Sequence, residues 1–195
     1  MNISTVVHQD KCLSCGACCC ICPKGAIKME YNKNTGFFRP SISSLCIDCG
    51  LCKQICPALG QRDSSLAGSY SGIFLAYSRD PHIRRGATSG GVINALVRYL
   101  IDSDVVDAVL MSKHDSKSPI ETSLVVVTKE NIEELSEEPR EFTSRYVTIP
   151  VLDHLRQVLM NFKRIAVVGT SCQMKALELM SNSGGGVNHI RIFLE

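Results

Sequence analysis

Hydrophobic and polar positions from residue 72 onward fall into short apolar runs and helical spacings that alternate along the chain. Continuous apolar runs predict buried strands, and apolar positions three and four apart predict helices. The predicted strands cover residues 72–78, 105–111, 122–128, 164–168 and 189–194, and the predicted helices cover residues 90–101, 129–135, 151–162 and 172–180. A polar, basic loop is predicted between the first strand and the first helix. This alternation is typical of an α/β domain with a mostly parallel or mixed sheet.

Residues 1–60 have another pattern, with two short predicted strands at 26–29 and 36–39 around an Asn-Lys-Asn-Thr-Gly turn. Residues 61–71 are rich in Ser, Gly, Ala and charge, which predicts a linker. The expected organisation is therefore a small α+β domain over 1–60, a linker, and an α/β domain over 72–195. Because the chain ends directly after a predicted strand, the natural domain is expected to continue.

Composition and charge narrow the possible functions. The chain of 195 residues carries 21 Lys and Arg against 19 Asp and Glu, so its charge does not indicate a nucleic-acid partner. Its N-terminus lacks the basic start and apolar core of a secretion signal. No apolar run reaches the ~18–20 residues of a membrane span. We expect a cytoplasmic protein that does not cross a membrane.

Cysteine dominates the candidate chemistry, because ten of the eleven cysteines lie between Cys12 and Cys56. They form two C-x2-C-x2-C-x3-C-P runs, and each ligand-type cysteine of the second run lies 34 positions after its counterpart in the first. The runs comprise Cys12, Cys15, Cys18 and Cys22, followed by Cys46, Cys49, Cys52 and Cys56. This repetition indicates an internal duplication.

In runs of this spacing the fourth cysteine ligates the other of two [4Fe–4S] clusters. The predicted ligands are therefore Cys12, Cys15, Cys18 and Cys56 for one cluster, and Cys46, Cys49, Cys52 and Cys22 for the other. A structural zinc site and a disulfide framework are the alternatives, but neither suits a triplet of cysteines repeated in a cytoplasmic chain. The two runs resemble those of the bacterial two-cluster ferredoxin domain.

Two further cysteines, Cys19 and Cys20, lie inside the first run. They are interpreted as small apolar side chains, with an alternative ligand or a redox thiol as the other possibility. Residues 1–60 carry six Lys and Arg against three acidic residues. This excess either steers an acidic electron carrier to the domain or has no function.

Two motifs in the second region join a turn to a helix. Ser89, Gly90 and Gly91 open the first predicted helix, where backbone N–H groups could face a phosphate and Ser89 or Thr88 could cap the helix. Residues 169–173, Gly-Thr-Ser-Cys-Gln, follow the predicted strand at 164–168, which is a common ligand position in open α/β sheets. Either motif can equally be a plain turn, and Cys172 can be a buried structural cysteine or a reactive one.

These features occur in one order: the two cysteine runs, Ser-Gly-Gly, Ser-Arg-Tyr and Gly-Thr-Ser-Cys-Gln. In this order they resemble the beta-subunit family of coenzyme F-420 hydrogenases and dehydrogenases, whose members are iron–sulfur flavoproteins. The resemblance implies FAD beside the clusters, surrounded by three groups of residues: Ser89, Gly90 and Gly91; Ser144, Arg145 and Tyr146; and Thr170, Ser171, Cys172 and Gln173. The family usually has Pro where this chain has Ser171, and its members typically carry a further C-terminal region.

The sequence thus predicts an iron–sulfur flavoprotein oxidoreductase. Its expected partners are a ferredoxin-like carrier or redox partner subunit at the clusters and a small-molecule hydride donor or acceptor, such as coenzyme F-420, at the flavin. The alternatives are an electron-transfer module without flavin, an enzyme in which Cys172 is the catalytic thiol, and a truncated inactive fragment.

Overall fold

The computed structural model describes residues 2–59, 71–115, 118–144, 147–184 and 190–194. The first part contains a short helix α1 (Ser4–His8), helix α2 (Ala17–Ile21), strands β1 (Ile27–Asn32) and β2 (Phe37–Ile42), and helix α3 (Leu51–Gln54). The two strands form an antiparallel hairpin in which Ile27 faces Ile42 and Asn32 faces Phe37. The predicted hairpin is confirmed, and both strands run further than predicted.

The duplication seen in the cysteine spacing is repeated in the backbone. Gly16 and Gly50 have φ angles of 85° and 81°, and each directly precedes a short helix, α2 or α3. Two residues earlier in each run, Ser14 and Asp48 have φ angles of 56° and 52°. Residues other than glycine rarely adopt this left-handed conformation. Its occurrence at both equivalent positions shows that the two runs fold into the same loop.

The second part alternates helices and strands, as the hydrophobic pattern predicts. Its regular elements are α4 (Pro81–Gly86), α5 (Val92–Asp102), β3 (Ala108–Asp115), β4 (Ser118–Val127), α6 (Glu134–Glu137), α7 (Leu155–Asn161), β5 (Ile165–Val168), α8 (Ser171–Asn182) and β6 (Ile190–Leu194), with 3-10 turns at Pro139–Phe142 and Val151–Asp153. The described strands form a sheet in the order β4-β3-β5-β6. Strand β3 pairs antiparallel with β4 and parallel with β5, and β5 pairs parallel with β6. The predicted mixed sheet is confirmed.

The strand predicted at 72–78 is wrong. Residues 72–78 form no strand, and Ile73 and Phe74 are 91% and 79% exposed. The apolar run suggested burial, but residues 72–78 are not among the strands that pair in the described sheet. An apolar run shows that a segment can be buried and does not identify a partner for it.

The loop predicted over 79–86 is also wrong, because α4 begins at Pro81. The carboxylate of Asp80 accepts hydrogen bonds from the backbone N–H groups of His82 and Ile83 at 2.8 and 3.3 Å. An acidic N-cap followed by proline is a helix start that the sequence already contained. The next helix, α5, is capped by Gly91 in a left-handed conformation, not by the side chain of Ser89 or Thr88.

The central strands β3 and β5 alternate their side chains between two hydrophobic cores. Val109 and Ala166 pack on one face with α5, whereas Leu110 and Val167 pack on the other with α7 and α8. The second core also contains Cys20 and Ile55 from the cysteine-rich part. Both parts of the chain therefore share one hydrophobic core. Among the residues described, no helix combines the length and apolar character that a membrane span needs.

Candidate functional site

The cysteines of the two runs line two neighbouring cavities. The first cavity is lined by Cys12, Cys15, Cys18, Cys52 and Cys56 together with mostly apolar side chains. The second is lined by Cys22, Cys46, Cys49 and Cys52. In each lining three cysteines come from one run and at least one comes from the other. Cys52 lines both cavities and so lies between them.

Several N–H groups point at the sulfur atoms that line these cavities. The Ser14 backbone N–H donates to Cys12 Sγ at 3.5 Å, and the Ala26 N–H donates to Cys22 Sγ at 3.3 Å. The Asn2 side-chain amide donates to Cys46 Sγ at 3.7 Å. Hydrogen bonds of this kind stabilise charge on metal-bound thiolates and tune the potential of an iron–sulfur site.

Burial makes the thiolate forms unfavourable without a compensating cation. It raises the pKa of the Cys15 thiol to about 12 and is also the main cause of the raised pKa values of Cys52 and Cys56. The pKa of Cys18 is raised first by its hydrogen bond with the Cys19 thiol and then by burial. Metal ions supply the missing positive charge, so metal binding at such thiols releases protons.

The donor set and the cavities fit iron–sulfur cubanes. Five cysteines line the first cavity and four line the second, with Cys52 in both, so each cavity offers at least the four thiolates that ligate a [4Fe–4S] cluster. No group of three or more His, Cys, Asp or Glu side chains within the described part of the chain is arranged around a single ion. Cys19 and Cys20 are buried beside the first run: Cys19 packs with the other cysteines of this part, and Cys20 packs in the shared core.

A larger cavity, of about 590 Å³, opens between the first cysteine run and the edge of the α/β part. Its walls combine apolar side chains with hydroxyl groups, including those of Ser112, Thr143, Ser144, Thr148, Thr170 and Ser171. Leu13, between two cysteines of the first run, lines both this cavity and the first cysteine cavity. An apolar cleft with a few polar groups is typical of a site for an organic cofactor.

The structure brings together part of the residues that the resemblance implied for flavin binding. Ser144, Thr170, Ser171 and Gln173 line the large cavity. Among the described residues, Ser89, Gly90 and Gly91 are not in its lining, although Ile93, in the first turn of α5, is. Arg145 and Tyr146 lie outside the described residues.

Cys172 lies at the start of α8, next to this cavity but not in its described lining. Its Sγ is 3.2 Å from the hydroxyl oxygen of Thr170, and it is half-buried. Helix α8 begins at Ser171, one residue before the start predicted from the sequence. A catalytic role for the Cys172 thiol stays a prediction.

The Gln173 side chain makes two hydrogen bonds to the backbone at the large cavity. It is 4% exposed, and its Oε1 accepts a hydrogen bond from the Thr170 N–H at 2.8 Å, completing a capping box at α8. Its Nε2 donates to the backbone carbonyl of Ile149 at 2.8 Å. Gln173 therefore joins the start of α8 to the segment 147–149 on the opposite wall of the cavity.

We expect Gln173→Leu to lower the free energy of unfolding by about 1–3 kcal/mol, because it leaves the Thr170 N–H and the Ile149 carbonyl without partners. Thermal unfolding of the full chain measures the effect. Gln157→Leu, on the exposed face of α7, is the matched control and is expected to stay within about 0.5 kcal/mol. Equal midpoints for the two variants would contradict this assignment.

His114 is a buried residue of the large cavity that no sequence motif marked. Its Nε2 lies 2.7 Å from the Thr143 carbonyl oxygen, and its Nδ1 lies 2.8 Å from Thr122 Oγ1. Because a carbonyl can only accept, Nε2 carries a proton. His114 thereby fixes the backbone just before Ser144. A single histidine on a strand gives no recognisable signal, so only the fold identifies it.

Comparison with known proteins agrees with the motifs. Residues 73–156 match the family model described as "Coenzyme F420 hydrogenase/dehydrogenase, beta subunit N-term". This match confirms the resemblance over residues 73–156, which are similar to the N-terminal region of the beta subunits of this family.

Two curated proteins of methanogens are similar to most of the chain. One of the subunits of the F(420)H(2) dehydrogenase of Methanosarcina mazei is 27% identical over 190 residues, which are 92% of this chain and 51% of that protein. The coenzyme F420-dependent sulfite reductase of Methanocaldococcus jannaschii is 26% identical over 179 residues, or 90% of this chain and 26% of the enzyme. The chain thus spans about half and about a quarter of these relatives.

A solved structure is also similar. It is a chain of the F420-reducing [NiFe] hydrogenase complex of Methanosarcina barkeri, in a xenon derivative, with a TM-score of 0.47 and 22% identity. The similarity covers 55% of this chain and 36% of that one.

Proposed function

We propose that this protein is an iron–sulfur flavoprotein that transfers electrons between a ferredoxin-like carrier or redox partner subunit and a hydride-exchanging small molecule. The observation that supports it most is the order of the cavities. Cys52 lies between the two cysteine cavities, and Leu13 lies between the first of them and the large cavity. Groups bound in successive cavities would therefore be neighbours, with the first cysteine cavity between the other two.

The chain's own residues would hold and tune these groups. Cys12, Cys15, Cys18 and Cys56 would ligate one [4Fe–4S] cluster, and Cys46, Cys49, Cys52 and Cys22 the other. Buried apolar side chains around them exclude water, and the N–H groups directed at sulfur stabilise thiolate charge. When bound, the clusters supply one-electron steps and a flavin supplies the conversion to two-electron hydride chemistry.

The character of its lining makes the large cavity suitable for FAD. Hydroxyl groups from three segments, at Ser112, Thr148 and Ser171, face it among apolar side chains. The N-terminus of α8 also faces it, and the N–H groups of a first helical turn favour a phosphate. The names of the relatives point to coenzyme F-420 as the hydride carrier.

The flavin part is tested by Ser171→Asp in the cluster-loaded full chain. An acid in the first turn stabilises the helix but repels an anionic cofactor, so we expect at least tenfold weaker FAD binding with unchanged iron content. FAD titration followed by flavin fluorescence measures the affinity. Ser183→Asp, exposed at the other end of α8, is the control with the same charge change.

Equal FAD affinity for Ser171→Asp and Ser183→Asp would overturn the placement of the flavin at α8. No FAD binding by the cluster-loaded unsubstituted chain would overturn the flavoprotein proposal. It would leave the alternative of an electron-transfer module.

A further inference from the structure

Arg39 reaches from β2 into the first cysteine loop. Its Nη1 donates to the Cys12 carbonyl oxygen at 3.0 Å, to Ser14 Oγ at 3.2 Å and to the Phe38 carbonyl oxygen at 3.4 Å. The guanidinium also lies 5.3 Å from the centroid of the Phe37 ring. These contacts fix a permanent positive charge against the backbone of a predicted cluster ligand.

Ser14 contacts both the Arg39 guanidinium and the Cys12 sulfur. It is 1% exposed, and its hydroxyl donates to the Phe38 carbonyl at 2.7 Å, while its backbone N–H donates to Cys12 Sγ. Its left-handed conformation, at φ 56°, aims that N–H at the ligand. Arg39 therefore supports both the shape of the loop and the hydrogen bond to the Cys12 sulfur.

The second cysteine run has an acidic residue, Asp48, at the position equivalent to Ser14. Asp48 replaces Ser14 with nearly the same φ, is exposed, and its carboxylate accepts a hydrogen bond from the Asn2 amide at 2.9 Å. Cys46 Sγ lies 3.9 Å from the same carboxylate. Lys24 lines the second cavity from its exposed rim. One loop is thus held by a guanidinium and the other carries a carboxylate.

We propose that Arg39 is a positioning residue that raises the reduction potential of the cluster held by Cys12, Cys15, Cys18 and Cys56, independently of the other cluster. The inference rests on the cluster ligation proposed above. Reduction adds negative charge to a cluster, and a nearby fixed cation stabilises the reduced form. Among the described cysteine loops, the hydrogen bonds of Arg39 go to the first run, so its effect is expected to be largest at the first cluster.

The test is a redox titration of the anaerobic, cluster-loaded full chain followed by electron paramagnetic resonance. In Arg39→Gln we expect the potential of one cluster to fall by about 59 mV, a tenfold change for a one-electron couple, while the other stays in place. Arg39→Lys keeps the charge and is expected to shift the potential less. Lys163→Gln removes an exposed charge before β5 and is expected to change neither potential.

Unchanged potentials in Arg39→Gln with full iron content would overturn the inference, and so would equal shifts of both clusters. If Arg39→Gln loses iron, Ser14→Ala decides, because it keeps the charge and removes the Arg39–Ser14 hydrogen bond, one of the two that hold Arg39 to the first cysteine loop. A lower potential of one cluster in Ser14→Ala then supports the inference, and an unchanged one overturns it. A natural chain without clusters would instead refute the proposed function itself.

Discussion

The double variant Cys12→Ala/Cys56→Ala is expected to keep about four irons per chain, whereas Cys12→Ala/Cys22→Ala is expected to keep almost none. The reason is that Cys12 and Cys56 line one cavity, while Cys22 lines the other with Cys46, Cys49 and Cys52. The first double variant therefore damages one site and the second damages both. Iron and sulfide analysis after anaerobic purification distinguishes these results.

Ligation within each run predicts the reverse order of iron contents. In that case Cys12→Ala/Cys22→Ala would keep one cluster and Cys12→Ala/Cys56→Ala would lose both, which would refute the crossed ligand sets. Cys19→Ala/Cys20→Ala serves as the control, because neither cysteine lines either cavity. It is expected to keep about eight irons.

Gly16→Ala is expected to destabilise the chain by about 2–5 kcal/mol, from about 1–2 for the left-handed conformation and about 1–3 for overpacking. Gly16 has φ 85°, and an added Cβ would lie 2.5 Å from the backbone nitrogen of Asp153 and 2.9 Å from the carbonyl oxygen of Pro150. Neither backbone atom can move aside cheaply, since the neighbouring Leu152 N–H donates to the Cys15 carbonyl at 3.2 Å. Thermal unfolding, together with iron content, measures the loss.

Gly25→Ala separates conformation from contact. Gly25 is also left-handed, at φ 59°, but an added Cβ would meet nothing within 4 Å. This variant is expected to cost only about 1–2 kcal/mol. Equal destabilisation by the two variants would contradict the close packing of the first cysteine loop on residues 150–153.

Patterns local in sequence allowed most of the fold to be predicted. The apolar runs at β3, β4 and β5 and the helical spacing of α5 identify elements that the structure contains, within a few residues of their bounds. The spacing of the two cysteine runs also predicted two groups of four ligands; the members of each group line a common cavity, and their ligation of clusters stays a prediction. Such signals are informative because they depend on neighbours along the chain.

What the sequence could not show depends on contacts between distant segments. The run at 72–78 has the composition of a buried strand, but it pairs with no strand of the described sheet and most of its large apolar side chains are exposed. Gln173 suggested a cofactor ligand, but its amide joins Thr170 to Ile149. The packing of Gly16 against residues 150–153 likewise joins two segments that no local pattern connects.

The central claim is that the cysteine cavities hold two [4Fe–4S] clusters, and metal analysis of the anaerobically purified full chain tests it most directly. We expect about eight irons and about eight sulfides per chain, with the absorbance of cubane clusters. Zinc in place of iron and sulfide, or about four irons in the unsubstituted chain after reconstitution, would contradict it.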